Sequence, residues 1–118
     1  YSDFGRLSGE LWRACRLVVD TGIHHYRWTR EEGIDYYMNN TANPEGDCVG
    51  MVERHIVWPG QAVSYKIGML KIQELRTYAE STLGDTFSLQ GFHDVVLKNG
   101  GVSMDILQDI VYQWVDNQ

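Results

Sequence analysis

Apolar residues return every three or four positions along almost the whole chain, and nowhere do they alternate with period two over a useful length. That spacing places side chains on one stripe of a helix and leaves no half-buried strand. Leu7, Leu11, Cys15 and Val18 mark a first helix over about Asp3 to Tyr26. Thr29-Arg30-Glu31-Glu32 fits a capping box that opens a second helix, with Ile34, Tyr37 and Met38 as its stripe and Asn39-Asn40-Thr41 at its end. Asn43-Pro44 predicts a short third helix with Asn43 as cap and Pro44 at the first helical position, and Val49, Val52 and Ile56 inward. Trp58-Pro59-Gly60 breaks the chain before a fourth helix, Gln61 to Leu83, with Ala62, Tyr65, Met69, Ile72, Leu75 and Ala79 on one face. Gly84 stops it, Asp85 to Ser88 is a loop, and a fifth helix runs from Leu89 to Lys98. Ser103 caps the last, with Ile106, Leu107, Ile110, Val111, Trp114 and Val115 inside. The fold class is therefore all-α: five to six helices in a compact array, one domain over residues 1–118.

Gly5, Gly9 and Gly22 each weaken the first helix by about 1 kcal/mol relative to Ala. Their presence predicts close packing against a neighbour. Cys15 and Cys48 are too few for a disulfide framework and are expected as packed free thiols. A net charge of -6 repels phosphate backbones and anionic lipid surfaces. No apolar run approaches the roughly 20 residues of a membrane helix. The chain opens with Tyr1 rather than Met and without a basic start leading into an apolar stretch, so any targeting signal is expected upstream of it.

Two patterns carry chemistry. Arg13, Arg16, Asp20 and His24 recur at three, four and four residues and share one side of the first helix with Arg6. An Asp one turn from a His can orient its imidazole as a fixed donor or proton relay. The same spacing equally describes a solvated charged face. Gln61 and Tyr65 lie one turn apart just after a tight turn, where a tyrosine hydroxyl can aim at an oxyanion; Tyr65 equally fits a core aromatic. Gly68 would let a second backbone approach.

Metal ligands are sparse. His24, His25, His55 and His93 contain no pair four apart, HExxH is absent, and Cys48 with His55 on one helix face make only two ligands. There is no GxGxxG, phosphate-binding loop or GxSxG. A small metal-binding protein would need a third convergent ligand. Asn39-Asn40-Thr41 matches a glycosylation sequon, which matters only in a secretory setting.

Phe4-Gly5-Arg6-Leu7-Ser8, Glu10-Leu11-Trp12-Arg13-Ala14 and Arg16 to His24 resemble a known family, as do Trp28 to Glu31 and Ile34-Asp35-Tyr36. So do Val52-Glu53-Arg54, Trp58 to Ala62, Tyr65 to Gly68, Phe92 to Leu97 and Asn99-Gly100. This is the bacterial domain-of-unknown-function family 885, whose members resemble helical zinc metallopeptidases of the gluzincin kind. The resemblance implies that this chain is the C-terminal part of a longer protein. The zinc ligands and general base would lie upstream, with no cofactor in this segment and zinc in the parent. It implies that Tyr65 and His24 donate to the substrate carbonyl as it becomes an oxyanion. Asp20 would orient His24, and Arg13, Arg16 and Gln61 would contact the peptide. Such donors contribute about 2–4 kcal/mol at a transition state. The chain departs from the family pattern at His25-Tyr26-Arg27 and at Pro44 to Gly50.

The implied partners are the missing catalytic part of the same chain and a peptide substrate. Apolar surface left by the cut would also allow a homodimer. A periplasmic or envelope location would follow if the parent carries a signal peptide. The competing reading is a non-catalytic helical interaction module. His24 and Tyr65 facing one concavity would favour the enzyme; opposite faces would favour the module.

Overall fold

Four serine and threonine side chains set helix starts in this computed structural model, which describes residues 2–118. Ser2 Oγ accepts from the Gly5 amide ahead of α1, Asp3–His24. Thr29 and Glu32 form the reciprocal capping box of α2, Arg30–Asn40. Ser88 and Ser103 cap α5, Leu89–Lys98, and α6, Met104–Asp116. Between them lie α3, Glu45–Val57, and α4, Gln61–Leu83, followed by a 3₁₀ turn over Gly84–Thr86. Among the described residues there is no strand, so the chain is all-α as its periodicity predicts.

Several local expectations need correction. The first helix ends at His24, and Arg27 takes a left-handed backbone at φ 59° before Trp28. That conformation costs a non-glycine residue about 1 kcal/mol. Pro44 is the N-cap of α3 in extended conformation, not its first helical residue, so the Asn43 side chain does not cap it. On α3 the buried face is Cys48, Val52 and His55, while Ile56 is exposed. The stripe read on α1 also splits, since Cys15 is buried but Leu7 and Leu11 are exposed. Met38, Tyr65 and Ile106 are likewise exposed rather than inward.

The chain divides into two compact units, Tyr1–Ile67 and Gly68–Gln118. In the first, Cys15, Val19, Ile34, Tyr37, Cys48 and Val52 form the core, with the Trp12 ring 4.6 Å from Tyr37. Gly33 lets α2 approach: a Cβ there would sit 3.2 Å from Val19 and 3.3 Å from Val52. Gly22 is also required, because a Cβ would overlap the Trp28 indole. Gly5, Gly9 and Gly68 make no such close approach. In the second unit Leu75, Ala79, Phe92, Leu107, Val111 and Val115 form the core, with Tyr78 and Tyr112 rings 4.5 Å apart at its edge. Each large apolar side chain buried here contributes about 1.5–3 kcal/mol. Cys15 and Cys48 are both free and buried.

Candidate functional site

The turn before α4 ends in Gly60, which has no side chain with which to cap the helix. Its left-handed backbone, φ 80°, makes the turn. The capping oxygen comes instead from α1. Asp20 Oδ1 accepts from the Gly60 amide at 3.2 Å and Oδ2 from the Val63 amide at 3.3 Å. Asp20 is 1% exposed, so this carboxylate is a buried anion held at a helix N-terminus by two backbone donors. The sequence offered it only as a partner for His24; the capping role depends on a contact across forty residues.

His24 sits one turn further along α1. Its Nε2 lies 3.5 Å from Asp20 Oδ1 and 2.8 Å from the His55 carbonyl oxygen. A carbonyl only accepts, so Nε2 carries the proton. The nitrogen left for a ligand is Nδ1, an acceptor in the neutral ring and a donor only in the imidazolium.

Arg16 lies one turn before Asp20, and its guanidinium carbon stands 4.6 Å from the Tyr65 ring centroid. Arg16 Nε is buried without a hydrogen-bond partner among the described residues. Tyr65 itself is 45% exposed. The first unit thus brings Arg16, Asp20, His24 and Tyr65 to the seam between α1 and the start of α4. The other candidates are engaged elsewhere. Arg13 Nη1 donates to its own helix at the Gly9 carbonyl, 3.2 Å away. Gln61 Oε1 accepts from Arg54 Nε at 3.3 Å, and Arg54 stacks on Trp58. Arg6 pairs with Glu10 at 2.7 Å.

Beneath the seam is a pair that sequence reasoning missed. The Tyr37 hydroxyl and His55 Nε2 are 2.7 Å apart, and both side chains are buried. Burial pushes the Tyr37 hydroxyl above its ordinary range, and burial holds His55 down at about 4. Cys48 and His55 do share a face of α3, but as core residues. The one available signal was a polar residue at the i+7 position from Cys48, in phase with Val52.

Three clefts of the first unit are lined by other side chains, among them Leu7 and Leu11, Trp28 and Tyr36, and Val57 and Trp58. His24 and Tyr65 are each exposed to solvent. Among the described residues no three His, Cys, Asp or Glu side chains converge, so the residues present do not fit a zinc ion.

The family described as bacterial protein of unknown function (DUF885) matches residues 1–111. No curated protein matches the chain. Among solved structures, the "putative lipoprotein from Colwellia psychrerythraea" is similar, with a TM-score of 0.96 at 55% identity over 98% of this chain. The chain spans 20% of that protein's length.

Proposed function

This chain belongs to the bacterial DUF885 family, and we propose that it is the C-terminal, substrate-facing wall of a peptide-bond hydrolase of the zinc metallopeptidase kind, completed by the rest of a longer polypeptide. One observation carries the reading. The buried Asp20 carboxylate holds the first residues of α4, which carries Tyr65, and also lies beside His24. Two potential donors are thereby tied to one rigid anchor, and donors aimed at a developing oxyanion act only when fixed in advance. Tyr65 would donate its hydroxyl to the substrate carbonyl, and His24 would donate from Nδ1 as the imidazolium. Arg16, braced on the Tyr65 ring, would offer its charge to a peptide carboxylate. Arg13 and Gln61 flank this region as further peptide contacts, each after leaving its present partner. The metal that activates water in such enzymes would be held by the other part of the polypeptide. The name of the Colwellia relative supports a cell-envelope location.

The alternative is a non-catalytic helical interaction module. It is favoured by the exposed stripe of Phe4, Leu7 and Leu11 and by the open setting of His24 and Tyr65. Quenched fluorescent peptides separate the two. The longer protein is expected to cleave them, to lose turnover with a chelator and to regain it with zinc, while residues 1–118 alone stay inactive. Turnover by residues 1–118 alone, or none by the longer protein across a mixed peptide library, would overturn the hydrolase reading.

A further inference from the structure

The start of α1 is open to solvent among the described residues. Every residue from Ser2 to Leu7 is exposed, and so is Leu11. Phe4, Leu7 and Leu11 follow one another at three and four residues, so they form a single stripe. They are 78%, 55% and 48% exposed. With Ser8, Thr41 and Ala42 they line a cleft of about 310 Å³. The charges on the adjoining flank are already satisfied, since Arg6 lies 2.7 Å from Glu10 and 3.8 Å from Asp3. An exposed apolar stripe of this kind is a cost until it is covered.

We propose that this stripe docks an apolar face of the same polypeptide lying outside residues 1–118. The proposal rests on the longer-chain part of the function proposed above, and not on its chemistry. Two observations choose this occupant over a second copy. Three side chains fall far below the roughly 800 Å² per partner of a stable interface, and a separate copy must also offset its lost translational freedom. A tethered segment meets the stripe at high effective concentration, so a small patch suffices. The Colwellia relative, of which this chain spans 20%, has most of its length available for that role.

Hydrogen exchange on the longer protein and on residues 1–118 tests it, with sedimentation of the latter over a range of concentrations. Amides from Gly5 to Leu11 are expected to exchange at least about 100-fold more slowly in the longer protein, with residues 1–118 monomeric. Equal exchange in both would overturn the proposal. So would protection in residues 1–118 that rises with concentration alongside a dimer mass. Peptide cleavage is not part of this readout, so a longer protein that fails to hydrolyse peptides leaves the docking result intact.

Discussion

The Tyr37 hydroxyl lies 2.7 Å from His55 Nε2 inside the core of the first unit. Burial is the main cause that holds His55 at about 4, below its ordinary 6.5. Arg16 and His24 on α1 and Arg54 on α3 push it the same way, while Asp20 on α1 opposes them. Between pH 6.5 and 4 the unfolded chain therefore binds a proton that the folded chain does not. Stability contributed by neutral His55 is present above that window and is lost as pH falls through it, by roughly 3 kcal/mol in all. An NMR titration following the His55 ring, paired with urea unfolding at each pH, checks this. A midpoint near the ordinary histidine value would contradict it.

Asp20 caps a helix that begins forty residues away, and its removal strands two amides. Asp20→Ala is expected to cost about 2 kcal/mol or more, and Asp20→Asn, which keeps one acceptor oxygen, about half as much. Urea midpoints of the two variants give the order. Equal stability of Asp20→Ala and the parent chain would remove the anchor on which the site depends.

Two glycines should respond in opposite directions. At Gly22 an added methyl overlaps the Trp28 indole, and the strain of about 1–3 kcal/mol exceeds the gain in helix propensity. At Gly68 an added methyl meets open space, so Gly68→Ala should stabilise by about 0.5–1 kcal/mol. Thermal unfolding of both variants is expected to move the midpoint down for Gly22→Ala and up for Gly68→Ala.

Cys15 and Cys48 are buried, and burial raises both thiols above their ordinary range. Neither should react quickly with a thiol reagent in the native state, and both should react in urea. Rapid native labelling of either would contradict the packing described for the first core.

Much of this architecture was legible because helix signals are local. The bounds of α4 and α5 follow from Gly60, Gly84, Ser88 and Asn99, and the start of α2 from the Thr29–Glu32 box. What stayed hidden depends on contacts between distant residues. Periodicity alone cannot choose between His55 and Ile56 for the inward position, and the choice falls on His55 because Tyr37, eighteen residues earlier, supplies a partner. Leu7 and Leu11 have the spacing of core residues but stay about half exposed among the described residues. Pro44 takes the cap itself in extended conformation, so the cap expected at Asn43 falls one residue early. At the seam, spacing placed Arg16, Asp20 and His24 on one face. It could not reveal that the Asp20 oxygens are committed to α4, or that His24 spends its Nε2 on the His55 carbonyl.

The most direct measurement is the steady-state kinetics of peptide cleavage by the longer protein carrying Tyr65→Phe, a change that removes one hydroxyl from an exposed ring. A fall in kcat of about 100- to 1,000-fold with KM little changed is the result expected of a donor that acts only at the transition state. An active longer protein whose kcat is unaltered by the substitution would contradict the role assigned to Tyr65.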